Sequence, residues 1–131
     1  MSRGYLLDTN IAIAILINEK NVIDFIKQAA RDKMSIYFST ITECEVFAGL
    51  KPEEQLRAEK LFTSRRCLEV TSESAKLAGI IRREQKAKRR KLKTPDAIII
   101  ATAMVNELTL LSRDSDMNFV QNELGVSLIK I

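Results

Sequence analysis

The sequence predicts an α/β protein with a mostly parallel sheet of five strands and helices on both of its faces. Two observations support this prediction. Apolar runs of strand length alternate with helical stretches along the whole 131-residue chain, a pattern typical of parallel sheets. No repeat, low-complexity tract or linker interrupts the alternation. A chain of this length is expected to form one domain, residues 1–131, around a sizeable core.

The N-terminal half contains two of the five predicted strands. Residues 4–7 form a short apolar run typical of a buried strand, whereas the Ile/Ala alternation of residues 10–18 fits a strand as well as a helix. The rest of this half is predicted to form a helix, a strand, a short helix and a helix opened by Pro52 at a favoured first-turn position: residues 22–30, 35–38, 42–50 and 52–63.

The C-terminal half contains the other three strands. The predicted elements are a strand, a long and increasingly basic helix, a largely apolar helix, a strand, a short helix and a last strand: residues 67–70, 72–90, 94–107, 108–112, 116–122 and 126–129. In parallel sheets, ligands bind outside the carboxyl ends of the strands, where the following helices begin. We therefore expect any functional site along that edge.

Composition narrows the possible chemistry, because the chain contains no histidine. This absence excludes Ser-His-Asp and Cys-His catalysis, histidine-containing zinc sites and imidazole acid–base chemistry. Any catalysis must come from carboxylates, Lys, Arg, Tyr, hydroxyl groups or a metal ion bound through oxygen.

No segment of the chain predicts export or a membrane span. The longest apolar runs, residues 11–17 and 97–103, are far shorter than the ~18 residues that a span needs. Arg3 is followed by a broken apolar stretch, unlike the core of a signal peptide. Cys44 and Cys67 have neither CxxC nor metal-ligand spacing, so we expect reduced cysteines that behave as small hydrophobes in a cytoplasmic protein.

Four carboxylates follow strands or open helices on what should be one edge of the sheet. Asp8 follows the first strand and Asp114 follows "TLLSR". Glu45 is predicted in the first turn after the second strand, and Asp96 at the start of the apolar helix. Because the carboxyl ends of parallel strands share an edge, the four acids are predicted to converge.

Each acid also has a purely structural explanation. In "TECE" Glu45 fits the third helical position of a capping box, and in "TPDA" Asp96 fits the first turn, where a carboxylate favours the helix dipole. Asp8 or Asn10 could cap the helix that follows the first strand, and Asp116 could cap the short helix that follows it near the C-terminus. Independent caps have no reason to converge, however. Neighbouring carboxylates stay ionised when a cation compensates them, and Mg²⁺ or Mn²⁺ prefers such oxygen ligands.

The four blocks that carry these acids are "LLDTN", "STITECEVFAGL", "TPDAIIIATA" and "LLSRDSDMNF". Together, in this order and at these spacings, they resemble the PIN-domain nucleases, and most of all the VapC-type toxins of toxin–antitoxin pairs. The resemblance covers essentially the whole chain. It implies a three-layer α/β/α sandwich and Mg²⁺- or Mn²⁺-dependent cleavage of RNA.

Residue by residue, Asp8, Asp96 and Asp114 match the family's first, third and fourth acids. The family's second acid has a Thr three positions before it and a Gly four positions after it, which selects Glu45 over the nearby Glu43. Asp116 resembles an auxiliary acid. Three further polar residues match positions that orient the acids, with a serine where threonine is commoner: Thr9, Asn10 and Ser112.

The resemblance implies that Asp8, Asp96 and Asp114 hold the principal metal ion, with Glu45 reaching it directly or through water. Water activated at this site would attack the phosphodiester and leave a 3′-hydroxyl and a 5′-phosphate. Either Glu45 or Asp116 could accept the proton.

The net charge of +4 is concentrated in one segment. Residues 82–93, "RREQKAKRRKLK", contain eight basic side chains and one acidic one, whereas the rest of the chain carries 13 basic and 16 acidic residues. The run is either a solvated helix face or an RNA contact beside the acidic edge. The candidate RNA-binding residues are Arg82, Lys86, Lys88, Arg89, Arg90 and Lys93.

By resemblance, the expected partners are an RNA substrate (a structured RNA such as tRNA), a cognate antitoxin and a second copy of the chain in a homodimer. Leu56, Leu61 and Phe62 form a candidate contact surface or, equally, face the core. Two other classes stay open: a phosphatase that forms an aspartyl-phosphate, although Asn10 stands where its second acid belongs, and a PIN-like module that binds RNA or protein without cleaving.

Overall fold

The computed structural model describes residues 4–131 and contains five parallel strands in the order β3-β2-β1-β4-β5. The strands are β1 (Gly4–Leu7), β2 (Ser35–Ser39), β3 (Arg66–Leu68), β4 (Thr109–Ser112) and β5 (Leu128–Lys130). This architecture confirms the predicted α/β fold with a five-stranded parallel sheet.

Seven helices connect the strands. They are α1 (Thr9–Leu16), α2 (Lys20–Arg31), α3 (Thr40–Gly49), α4 (Gln55–Thr63), α5 (Ser72–Ala87), α6 (Thr94–Asn106) and α7 (Phe119–Leu124). Short 3₁₀ turns, Pro52–Glu54 and Ser115–Met117, precede α4 and α7. Among residues 4–131, no helix combines the length and the hydropathy that a membrane span requires.

Two apolar cores flank the sheet, because successive side chains of a strand point to opposite faces. On β1, Leu6 packs into the core beneath α5, α6 and α7, and Leu7 packs into the core beneath α1, α2 and α4. Leu110 and Leu111 on β4 divide in the same way. The result is a three-layer α/β/α sandwich.

The strand order reverses between β1 and β4, the two central strands. From β1 the chain continues through β2 to β3 on one side, and β4 continues to β5 on the other. The helices that follow such a pair of strands leave in opposite directions, so a crevice opens at the carboxyl ends of the strands. Asp8 and Asp114 follow these two strands, and the reversal therefore places them at the crevice.

The ambiguous segment after β1 is helical. Parallel strands need a long crossover connection, and a helix over Thr9–Leu16 buries Ile11, Ala12, Ala14 and Leu16. The other predicted elements are present, with ends shifted by one to three residues. One shift of three residues is at the start of α4, because Pro52 opens the 3₁₀ turn and the α-helix begins only at Gln55.

Two predictions about apolar residues were wrong in part. Cys44 is exposed, so only Cys67, which is half-buried, resembles the small hydrophobe expected of both cysteines; both are free thiols. The candidate contact surface on α4 is not one face, because Phe62 is buried against Phe38 at a ring-centroid distance of 5.1 Å whereas Leu56 is 63% exposed.

Candidate active site

Asp8 lies at the end of β1, and only 3% of its surface is exposed. Its Oδ1 accepts a hydrogen bond of 2.8 Å from the backbone N–H of Thr9, and its Oδ2 accepts one of 2.7 Å from the Ser112 hydroxyl. The first bond caps α1, as the sequence predicted for Asp8 or Asn10. The backbone N–H of Asp8 also donates to Leu111 at 2.9 Å, so β4 fixes its position.

Ser112 links the two central strand ends. Its buried hydroxyl donates to Asp8 and accepts a hydrogen bond of 3.1 Å from the backbone N–H of Asp114. The Asn10 side-chain amide lies 3.5 Å from the same hydroxyl, and its carbonyl oxygen lies 3.5 Å from the backbone nitrogen of Arg113. Thus the predicted positioning residues Asn10 and Ser112 do contact the segment that carries the acids.

Ser112→Ala is expected to lower the free energy of unfolding by about 1–3 kcal/mol, because it leaves a buried carboxylate oxygen and a backbone N–H without their partner. Urea unfolding monitored by circular dichroism measures this loss. Ser35→Ala provides the control, since Ser35 is exposed at the start of β2. Equal stability of the two variants would contradict the role assigned to the Ser112 hydroxyl.

Glu45 reaches the site from α3. The hydroxyl of Thr9 donates to its Oε1 at 2.6 Å, and the Thr42 hydroxyl lies 3.3 Å from that of Thr9. The capping box predicted for "TECE" is absent, because α3 begins at Thr40 and Ser39 is the N-cap, accepting from the Ile41 N–H. Glu45 therefore lies in the second turn, where its carboxylate contacts Thr9.

Asp96 occupies the first turn of α6, as predicted, and Lys93 is the N-cap residue of this helix. Among residues 4–131, no hydrogen-bond donor lies against its half-buried carboxylate. Burial raises the pKa of Asp96 to about 6, and the negative charges of Asp8, Asp114 and Glu45 raise it further, whereas Lys93 opposes the shift.

Burial and neighbouring negative charges also affect Asp8. Burial raises its pKa, the hydrogen bonds from Ser112 and Thr9 partly offset this effect, and the charges of Asp114 and Glu45 add to it. The negative charges of Asp114 and Glu45 therefore act on both Asp8 and Asp96. Within residues 4–131, however, no three of the acidic and thiol side chains are gathered closely enough to form a ready-made metal cluster.

Asp114 caps the 3₁₀ turn that precedes α7. Its Oδ1 accepts a hydrogen bond of 2.9 Å from the backbone N–H of Asp116. This arrangement reverses the predicted capping role, because Asp116 is an exposed member of the turn and Asp114 is its cap. Asp116 nevertheless remains beside Asp114, in the position expected of an auxiliary acid.

An ion pair that the sequence analysis missed lies next to Asp114. The guanidinium of Arg113 donates to both carboxylate oxygens of Glu19 at 2.9 and 2.7 Å, and this pairing lowers the pKa of Glu19. The buried Nε of Arg113 has no hydrogen-bond partner among residues 4–131. The pair joins the start of α2 to the segment after β4. No local pattern indicates it, since its partners are 94 positions apart.

The basic segment divides into paired and unpaired side chains. Lys88 and Arg90 both form ion pairs with Glu123, and the Nε of Arg82 donates to the Leu92 carbonyl at 2.9 Å. The other candidate RNA-binding residues have no ion pair among residues 4–131: Lys86, Arg89 and Lys93 are exposed.

These features define a class: an all-parallel α/β sandwich with several acidic side chains along the carboxyl edge of the sheet, where the strand order reverses. The model of the PIN domain family matches residues 5–122 of the sequence. The chain therefore belongs to the PIN-domain family. No curated protein matches it in a sequence search.

Solved structures share this fold over nearly the full chain. A chain of a toxin–antitoxin complex from Klebsiella pneumoniae is 28% identical, with a TM-score of 0.74 and coverage of 98% of this chain and 100% of the other. DNA-bound VapBC from Salmonella typhimurium matches with a TM-score of 0.82 at 20% identity, covering 99% and 98%. VapBC2 from Rickettsia felis, bound to a promoter fragment, matches with a TM-score of 0.80 at 20% identity, covering 97% and 98%.

Proposed function

We propose that this protein is a divalent-metal-dependent endoribonuclease that acts as the toxin of a toxin–antitoxin pair and inhibits translation. The main support is the environment of Asp8, a buried carboxylate held by Thr9 and Ser112 within the field of Asp114 and Glu45. A buried acid with a raised pKa is an unfavourable residue for a purely structural helix cap, because burial opposes its charge. Such acids in a crevice are candidates for a functional site.

The donor set fits a hard divalent cation. Asp8, Asp96, Asp114 and Glu45 offer only oxygen ligands. Burial raises the pKa values of Asp8 and Asp96, neighbouring negative charges add to this effect, and a bound cation would favour the ionised carboxylates. Mg²⁺ is usually held by one or two carboxylates and keeps several waters, so a site of this kind needs no tight cluster of three ligands. Asp8, Asp96 and Asp114 would hold the ion, directly or through its water ligands, with Glu45 or Asp116 in support.

The bound ion would supply Lewis-acid activation of water and neutralise charge on the phosphate. The protein orients the acids: Ser112 holds Asp8 and the backbone of Asp114, and Thr9 holds one oxygen of Glu45. The second oxygen of Glu45 is left to accept the proton of the attacking water. Attack of this water on the phosphodiester bond would leave a 3′-hydroxyl and a 5′-phosphate.

The proposed partner is an antitoxin that keeps the nuclease inactive in the cytoplasm. The structural similarity to chains of toxin–antitoxin complexes over nearly the whole length supports this part of the proposal. The proposal includes a homodimer as the active form and a structured RNA such as tRNA as the substrate.

Cleavage of RNA by the purified protein tests the enzymatic part. With Mg²⁺ or Mn²⁺ in excess over the protein, a labelled RNA is expected to yield products that an RNA ligase can rejoin, since they carry 3′-hydroxyl and 5′-phosphate ends. EDTA is expected to stop the reaction. RNA binding without cleavage under all of these conditions would favour the non-catalytic binding module.

Glu45→Gln is expected to lower kcat by about 10²-fold or more, the usual contribution of a general base. Glu43→Gln should be nearly silent and is the matched control, because Glu43 lies on the same helix but beside the Cys67 thiol on β3. Both variants are compared in the cleavage assay after their thermal unfolding has been checked. The reverse ranking would show that Glu43 is the family's second acid in this chain.

A further inference from the structure

We propose that a groove leading from the acidic edge to the basic end of α5 binds the phosphodiester backbone of the RNA substrate, several nucleotides away from the cleaved bond. This inference rests on the proposed nuclease function and adds the path of the strand. Two adjoining cavities and the cations that line them support it.

The first cavity borders the segment that follows Asp114. It measures about 540 Å³, and Ser115 and Asp116, directly after Asp114, form one end of its wall. The second cavity measures about 630 Å³ and is lined chiefly by the cations Arg82, Arg83, Lys86 and Arg89. Both volumes lie within the roughly 300–1,000 Å³ of ordinary ligand pockets.

The two cavities share one wall, the segment Arg90, Lys91 and Leu92. Leu92 is buried in the core and anchors this segment. The cavity that Asp116 lines therefore adjoins, at residues 90–92, the cavity at the basic end of α5. A strand that leaves the acidic edge in this direction meets positive charge.

A buried scaffold holds the shared wall in place. Gln85 is 1% exposed; its side-chain oxygen accepts a hydrogen bond of 3.2 Å from Arg90, and its backbone oxygen accepts one of 2.8 Å from the Arg90 N–H. Arg89 adopts a left-handed conformation with φ of 60°, which ends the helix and turns the chain back. The left-handed residue and the bond from the Arg90 N–H to the Gln85 carbonyl form a common helix C-cap, which fixes the position of the shared wall.

Glu123 forms ion pairs with two cations of this region and with none of the others. It pairs with Lys88 and Arg90, and these contacts hold its pKa at about 2, well below its usual range. The remaining cations of the groove, Arg83, Lys86, Arg89 and Lys91, have no carboxylate partner within 4.0 Å among residues 4–131. Their charge is therefore available to a ligand.

Unpaired cations such as these can neutralise the phosphates of a nucleic acid strand. Stacking contributes little here, because Phe119, the aromatic residue of the groove, already lies against Arg90 at 5.8 Å from the guanidinium carbon to the ring centroid. We therefore expect contacts to the backbone, which strengthen binding without selecting a sequence.

Binding of a fluorescein-labelled 12-nucleotide RNA, measured by anisotropy in EDTA so that no cleavage occurs, tests the groove. The variant Arg83→Ala, Lys86→Ala, Arg89→Ala is compared with Lys27→Ala, Lys33→Ala, Lys60→Ala, which removes the same charge from exposed positions on α2, its following turn and α4. The groove variant is expected to raise Kd at least about tenfold at low salt and to reduce the slope of log K against log salt by about 2.

Equal losses in the two triple variants, or no loss in either, would overturn the proposal. So would a wild-type protein that binds polyglutamate through these residues and does not bind RNA. The outcome is separable from that of the nuclease proposal: RNA binding through the groove without cleavage in Mg²⁺ or Mn²⁺ would refute only the nuclease, and cleavage with an unchanged KM in the groove variant would refute only the groove.

Discussion

Asp8→Asn is expected to reduce RNA cleavage by about 10³-fold or more without unfolding the protein. The loss follows from the proposed role of Asp8 in holding the metal ion, because a site that supplies several kcal/mol of transition-state stabilisation is worth about three orders of magnitude in rate. An amide oxygen is a weaker ligand than a carboxylate and carries no compensating charge.

The same change is expected to leave the metal-free protein as stable as the wild type, or more stable. Burial opposes the charge of Asp8, and Asp114 and Glu45 repel it. An asparagine oxygen can still accept from the Thr9 N–H, and its amide group can donate to the Ser112 hydroxyl. The substitution therefore removes an unfavourable charge and keeps the cap of α1.

Thermal unfolding with and without Mn²⁺, together with the cleavage assay, measures both effects. The variant should lose the stabilisation that Mn²⁺ confers on the wild type. Asp32→Asn is the control, since Asp32 is exposed at the end of α2 and contacts Gln28. An Asp8→Asn protein with full activity, or with an intact response to Mn²⁺, would remove Asp8 from the proposed site.

Divalent ions are expected to bind weakly at pH 5 and much more tightly at pH 7. Burial and the neighbouring acids raise the pKa of Asp96 to about 6, so below that pH its carboxyl group is largely protonated and must lose a proton to bind an ion. Each pH unit below 6 should lower the apparent affinity by up to about tenfold, because one proton is displaced.

The stability of the metal-free protein should follow the opposite trend. The pKa of Asp96 is raised in the folded state from its ordinary value of 3.8, so the folded protein binds more protons than the unfolded chain between these two values. Its contribution to stability is fully present below pH 3.8 and is lost as the pH rises through about 6. Mg²⁺ or Mn²⁺ should reverse this loss.

Calorimetric titration with Mn²⁺ at pH 5, 6 and 7 measures the affinity, and thermal unfolding in EDTA at the same pH values measures the stability. Asp96→Asn should weaken binding at pH 7 and flatten both pH profiles. Profiles that keep their full slope in this variant would assign the titration to another acid.

The architecture was predictable because it depends on alternation along the chain. Apolar runs alternating with helical stretches identified five strands, and the parallel sheet that they imply places Asp8 and Asp114 at one edge. Both conclusions depend on periodicity and on the polarity of strands, which are local properties. The family resemblance added the choice of Glu45 over Glu43, which stays a prediction; in the structure Glu45 accepts a hydrogen bond of 2.6 Å from Thr9.

The helix starts were harder to predict. The pattern "TECE" fits a capping box, but the chain enters α3 directly from β2, and Ser39 at the strand end becomes the cap. In the same way Asp114, and not Asp116, caps the turn before α7. Capping preferences contribute only about 1 kcal/mol each, so the path of the preceding strand overrides them.

In this protein, the local sequence is sufficient to predict the alternation of strands and helices and the edge of the sheet on which the acids lie. It also excludes histidine chemistry. The tertiary packing decides which cations are free to bind a ligand and which neighbours orient the acids. Arg113 pairs with Glu19, and Lys88 and Arg90 pair with Glu123, across 94, 35 and 33 positions of sequence. Contacts at such separations arise only when the sheet brings distant segments together, and no local periodicity encodes them.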